Sequence, residues 1–210
     1  MTWLDELSEL VAIPSVSADP GHKADVEAAA EWLAGFVWGA GGEAEVVSTE
    51  TQPLIIGDLR ASNGSAPTVL VYGHVDVQPP DPLELWESAP FSLEERDGWL
   101  YGRGVADDKG QLYLLIKAAA EHAAAGELPV NVRVACDAEE ETGGHQIVDF
   151  LAADERGADA AVIFDSGMTK RGTIKSISMA DATRSRRPTH PPRTRAEPPG
   201  RLSLSCVVAI

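Results

Sequence analysis

An apolar run, TVLVY (Thr68 to Tyr72), leads straight into GHVD, so a stretch that reads as a buried strand ends on His74 and Asp76. Three more acidic positions punctuate the chain. Asp107 and Asp108 stand just before a helical pattern, DAEEETGG (137–144) follows an apolar run, and Asp165 closes AAVIFD. An imidazole among carboxylates suits Zn²⁺ and related divalent ions better than Ca²⁺ or Mg²⁺, which prefer all-oxygen shells. In that reading His74 is a ligand. Asp76, two residues on, accepts from the other ring nitrogen and fixes the tautomer. Asp107 at a helix start could bridge two ions, while Asp108 could cap the helix and favour its dipole.

The consecutive glutamates carry a second signal. Gathering like charges is costly unless cations neutralise them. One glutamate could bind metal while its neighbour takes a proton from metal-held water, whose pKa falls from ~15.7 to about 7. Each motif has an ordinary reading when taken alone: a hydrogen-bonded strand-end histidine, a solvated acidic loop, a helix cap. Their joint order along one sheet is what points to a metal site.

The elements that must position these groups are legible in outline. Trp3, Leu4, Leu7, Leu10 and Val11 recur at helical spacing over 2–12, and Pro14 ends that helix. A second helix is expected from about Lys23 to Trp38, before Gly-Ala-Gly-Gly, and a third over 109–124, closed by Gly126. A fourth is expected over 144–153. Strands are expected at 43–48, 54–59, 68–72, 130–136 and 160–165, with a turn at 62–67. Strands alternating with helices predict an α/β fold with a largely parallel central sheet covered on both faces. Sites in such sheets gather at the carboxyl ends of strands, where His74, Asp76, the glutamates and Asp165 all fall.

Composition bounds the function. The 210 residues suffice for one sizeable core, and hydrophobic (44%) and charged (24%) fractions are ordinary for a globular protein. A formal net charge of −16 argues against nucleic acid or an anionic membrane as partner. The two cysteines, Cys136 and Cys206, form no CxxC pair, which fits a reducing, cytoplasmic setting. The N-terminus has neither a basic region nor an unbroken apolar one, and no run nears the ~18 apolar residues that span a bilayer.

The last thirty residues differ in character. Positions 181–210 hold six arginines, five prolines and two acids, a balance of +4, against −20 for residues 1–180. Periodicity is absent until a short apolar end. The segment reads as a disordered tail or as a frame-shifted one, since Arg/Pro/Ala-rich text is what GC-rich DNA yields out of frame.

The block YGHVDVQPPDPLELWESAPFSLEERDGWLYGRGVADDKGQ, followed by EEETG and VIFDSG, resembles the signature region of the M20 metallopeptidases. The VQPPDPLELW loop is especially similar to the dipeptidase branch, with its cytosolic nonspecific and carnosinase-like members. The resemblance runs from the first helix to about Ser178. It implies a zinc-peptidase-like α/β catalytic domain, two divalent ions (zinc, with manganese or cobalt as alternatives) and a small peptide substrate. It also assigns roles. His74 matches a ligand of the first metal, Asp76 the aspartate that orients it, and Asp107 the bridging carboxylate, followed by a cis peptide to Asp108. Glu140 aligns with the general base and Glu141 with a metal ligand, in a register set by Gly143. A one-residue slip would make the pair Glu139 and Glu140. Asp165 matches the carboxylate of the other metal.

His122 and His145 match no ligand and are assigned structural or surface roles. Cys136 is assigned to the core. Family members are longer. They insert a lid domain that mediates dimerisation and return with a late metal-binding histidine, and neither is visible here. His190 has no matching context. The residues thus divide into 1–180, the N-terminal part of the catalytic domain, and the atypical 181–210. The chain reads as a metal-dependent dipeptidase or, alternatively, as a truncated remnant that at most binds a metal ion. A Mg²⁺-dependent phosphoryl-transfer site is disfavoured because no GxxxxGK[ST] loop is present.

Overall fold

A computed structural model describes residues 1–165 and, beyond them, the strand backbone of 168–170, 173–174 and 178–180. The segment 181–210 and His190 lie outside the described residues.

Among the described residues the sequence patterns become four α-helices: α1 (Trp3–Ala12), α2 (Lys23–Gly39), α3 (Lys109–Ala124) and α4 (Gln146–Ala153). Helix α1 starts where Thr2 and Asp5 cap each other reciprocally. The Asp5 amide donates to Thr2 Oγ1 at 3.2 Å, and the Thr2 amide to Asp5 Oδ2 at 2.7 Å. Its inward stripe is Leu7, Leu10 and Val11, whereas Trp3, first in the apolar series, is largely exposed.

The described residues also form ten strands, in chain order β1 (Glu43–Val47), β2 (Leu54–Leu59), β3 (Thr68–His74), β4 (Glu94–Arg96), β5 (Trp99–Tyr101), β6 (Asn131–Asp137), β7 (Ala160–Ile163), β8 (Met168–Lys170), β9 (Thr173–Ile174) and β10 (Ser178–Ala180). Six form one sheet in the order β1-β2-β6-β3-β7-β10. Its centre, β6-β3-β7, is parallel, and β1, β3, β6 and β7 all point the same way. The antiparallel strands, β2 and β10, lie towards its flanks. The short loop between β1 and β2 leaves no room for the crossover a parallel pair requires. The sequence reading left 94–101 unassigned, and the structure shows a small β4–β5 hairpin there. Asp97 (φ 52°) and Gly98 (φ 75°) take its turn in the left-handed conformation favoured for two-residue hairpins.

Helices α2 and α3 cover one face of the sheet. Val26, Ala30, Leu33 and Val37 of α2 and Leu112 and Ile116 of α3 pack with Ile55, Val71, Val132 and Val134. On the other face Leu54, Ile56 and Ala135 meet Ile147 of α4. β2 is buried along its whole length because alternate side chains enter both layers. At about 1.5–3 kcal/mol for each fully buried Val, Leu or Ile, these two layers are the main force holding the strand ends in place. Helix α1 packs outside α3, where Leu7, Leu10 and Val11 surround the buried Tyr113. Cys136 is a fully buried thiol in the main core.

Candidate metal centre

Strand register gathers the site. β3 extends two residues past the predicted apolar run and ends on His74, paired with Asp137 of β6. Tyr72 pairs with Ile163, the last residue of β7, and Asp165 follows two residues past that strand's end, on the edge where β3 ends on His74. The turn before α3 then delivers Asp107 to the same edge. His74 is fully buried, and its Nε2 lies 3.2 Å from Asp107 Oδ1, 3.9 Å from Asp165 Oδ2 and 3.9 Å from Glu140 Oε2. Donor atoms of His74, Asp107 and Asp165 all fall within 4.8 Å of one another, the spacing of groups that could share a metal ion.

The ring is held from behind. His74 Nδ1 sits 3.0 Å from the Asp76 carbonyl oxygen and 3.3 Å from Asp76 Oδ1. Asp76 is itself fully buried. Its carboxylate accepts the Ser17 hydroxyl at 2.6 Å, the Glu141 amide at 3.1 Å and the Glu140 amide at 3.3 Å. It therefore joins the histidine to the glutamate loop.

In that loop the three consecutive glutamates take three directions. Glu139 turns inward and is buried. It accepts from the Thr51 hydroxyl and, at 3.2 Å, from the Gln146 amide at the start of α4. Glu140 faces His74. Glu141 accepts from Gln78 Nε2 at 2.7 Å. A short 3-10 turn over Glu140–Thr142, closed by Gly143 in the left-handed conformation (φ 72°), produces this divergence. Of the expected site residues, His74, Asp76, Asp107, Glu140 and Asp165 converge. Glu141 lies beside them, bonded to Gln78.

Asp108 follows Asp107 through a cis peptide. It occupies the N-cap position of α3, but its side chain makes no cap bond. That expectation is corrected by its direction: the carboxylate tucks under β3, where Oδ2 accepts the His74 amide at 3.3 Å. Next to it, Lys109 is buried, and its ammonium donates to the carbonyls of Leu10 (3.1 Å) and Ile13 (2.5 Å) at the end of α1. His122 and His145 are exposed. The sequence reading missed Ser17, Thr51, Gln78 and the inward role of Glu139. Nothing local marks Ser17 beyond its place in PSVS, and the others act through chain-distant contacts.

Electrostatics match the crowding. Burial pulls the His74 pKa down, but the Asp76 hydrogen bond and the nearby carboxylates outweigh it and raise it to about 10. Burial lifts Asp108 to about 8 against the pull of His74. Burial also lifts Glu140 above its ordinary value against the pull of His74, with help from Glu141, Asp165 and Asp76, the direction expected of a proton acceptor.

A divalent cation fits this arrangement. His74 Nε2 is buried without a hydrogen-bond partner although carboxylates face it, and one imidazole with two carboxylates is a donor set suited to zinc, manganese or cobalt. No helix among the described residues is long and apolar enough to cross a membrane.

Residues 70–199 match the family model for peptidase family M20/M25/M40. The cysteinylglycine-S-conjugate dipeptidase of Corynebacterium striatum is 34% identical over 139 residues, 66% of this chain and 30% of that protein. Among solved structures, human carnosine dipeptidase 1 superposes with a TM-score of 0.72 at 30% identity, over 81% of this chain and 40% of that one. An M20 family metallo-carboxypeptidase from Sulfolobus solfataricus also scores 0.72 at 30% identity, over 80% and 38%. The chain spans roughly a third of the length of these relatives.

Proposed function

Because the chain belongs to peptidase family M20/M25/M40, we propose that it carries the metal-holding strand ends of a dipeptidase-type hydrolase that cleaves a peptide bond with activated water. The observation that carries this reading is the buried, unbonded His74 Nε2 aimed at Asp107, Glu140 and Asp165. His74, Asp107 and Asp165, whose donor atoms lie within 4.8 Å of one another, would hold one divalent ion, zinc first, with manganese or cobalt as alternatives, which moves Asp165 from the other metal, where the resemblance put it, to the ion of His74. Asp107 and Glu141 would reach a second. Bound there, such ions supply Lewis-acid activation of water and of the scissile carbonyl.

The chain's own residues do the rest. Asp76 holds the His74 ring so that Nε2 stays directed at the carboxylates. Glu140, with 40% of its side chain exposed, is open to solvent and takes the proton of the attacking water, for which its raised pKa suits it. The dipeptidases among its relatives support a small peptide as substrate. A cytoplasmic location is part of this reading, supported by a sequence with two cysteines and no CxxC pair.

The pairing of Glu141 with Gln78 favours a second reading, a chain that holds one ion without turnover. Metal content after dialysis separates the two. Two ions per chain with chelator-sensitive hydrolysis of Cys-Gly or β-Ala-His support the first reading. One ion with no hydrolysis supports the second. Glu140→Ala should abolish turnover while metal binding persists, and normal turnover in that variant would overturn the role given to Glu140.

A further inference from the structure

We propose that Ser17 is a positioning residue for the metal centre. Through the Asp76 carboxylate, its hydroxyl fixes both the His74 ring and the amides that carry Glu140 and Glu141. The inference rests on the metal-site reading above, to which it adds a residue fifty-seven positions upstream of His74.

The approach of Ser17 is imposed by backbone pairing. Val16 forms a parallel bridge with Val77, and the Val77 amide donates to the Ser15 carbonyl at 3.0 Å. That pairing lays Ser17 beside Asp76. The hydroxyl then donates to Asp76 Oδ2 at 2.6 Å, the shortest of the contacts this carboxylate makes with Ser17, His74, Glu140 and Glu141. The four divide evenly. Oδ2 takes Ser17 and the Glu141 amide, while Oδ1 takes the Glu140 amide and faces His74 Nδ1. Rotation of the carboxylate would break bonds on both sides at once. Without the hydroxyl, Oδ2 keeps only the Glu141 amide from this set, and a buried charge is left under-satisfied. The carboxylate then turns, and the imidazole and the glutamate loop lose their common reference.

A neighbouring serine supplies the control. Ser15 is buried, and its hydroxyl donates to the Val75 carbonyl at 2.6 Å, fastening the same strand end without touching a site side chain. The experiment uses the 210-residue chain as wild type, Ser17→Ala, Ser17→Thr and Ser15→Ala. Co²⁺ affinity is read by visible absorption. The His74 ring ¹⁵N signal of the metal-free protein is assigned by its loss in His74→Gln.

Ser17→Ala should weaken Co²⁺ binding roughly 10- to 100-fold, the usual effect of removing a partner behind a metal ligand, and should shift the His74 signal. Ser17→Thr should restore both. Ser15→Ala should lower the melting temperature without changing Co²⁺ affinity. Wild-type affinity in Ser17→Ala overturns the proposal, as does an equal loss in Ser15→Ala. If the wild-type chain takes up no Co²⁺, the metal-site reading itself falls and the metal-free signal decides alone. A shift in Ser17→Ala that Ser17→Thr reverses supports the role of Ser17, and an unmoved signal overturns it.

Discussion

His74 and Asp165 lie ninety-one residues apart in the chain, yet His74 Nε2 stands 3.9 Å from Asp165 Oδ2, because parallel β3 and β7 are in register through Tyr72 and Ile163. The position of Asp165 relative to the histidine is thus a property of the sheet. The sheet edge brings negative groups together around His74.

Metal should therefore stabilise the chain. Chelator-treated protein is expected to stay folded, since the core layers do not depend on the site. Zinc at 100-fold its dissociation constant should add about 2.7 kcal/mol. A rise in melting temperature on zinc addition that His74→Gln abolishes would confirm the site. An unchanged melting temperature would refute it.

Adjacent glutamates should respond in opposite ways. Glu139 is buried and bonded to Thr51 and Gln146, so Glu139→Gln should cost about 1–3 kcal/mol of stability in urea unfolding. Glu140→Gln should leave stability unchanged or raise it, by relieving repulsion with Glu141 and Asp165. Equal effects at both positions would contradict the divergent turn.

Gly144 lies against the same buried carboxylate. A Cβ at this position would overlap the Glu139 carboxylate, so Gly144→Ala must displace Glu139. The expected cost is about 1–3 kcal/mol, and it should shrink when Glu139 is already shortened to alanine, a coupling that a double-mutant cycle measures.

In helix α1, Glu6 accepts from Tyr113 Oη at 2.6 Å and pairs with Lys117 at 2.9 Å. Burial pushes the Glu6 pKa up, but these two partners prevail and hold it below its ordinary value of 4.5. A carboxyl depressed in the folded state adds stability above its unfolded pKa and loses it as pH falls through the folded value. Wild type should exceed Glu6→Gln by about 1–2 kcal/mol at pH 7, and the gap should narrow as pH drops below the ordinary glutamate range. A gap that stays constant down to pH 3 would contradict the charged pairing (probed at about pH 7, 5, 4 and 3).

Sequence by itself determined the local elements and the chemical cast. The spacing over 109–124 yields α3 with the same bounds, and the apolar run before His74 becomes a central strand, because periodicity and burial are local consequences of residue type. The types and order of His74, Asp107 and Asp165 were likewise legible as a series that could hold a metal ion, and the structure brings their donor atoms within 4.8 Å of one another. Which of three identical neighbours faces the site could be read only from the resemblance, through the register at Gly143, and not from the side chains themselves. Glu139, Glu140 and Glu141 carry the same side chain, and only the turn at Gly143, the Thr51 contact and the Asp76 carboxylate separate them. Nor was Ser17 legible, since its place beside Asp76 follows from the pairing of Val16 with Val77 across sixty-one positions. Contacts between distant segments depend on strand register, and register is decided by the packing of the whole sheet between its helical layers.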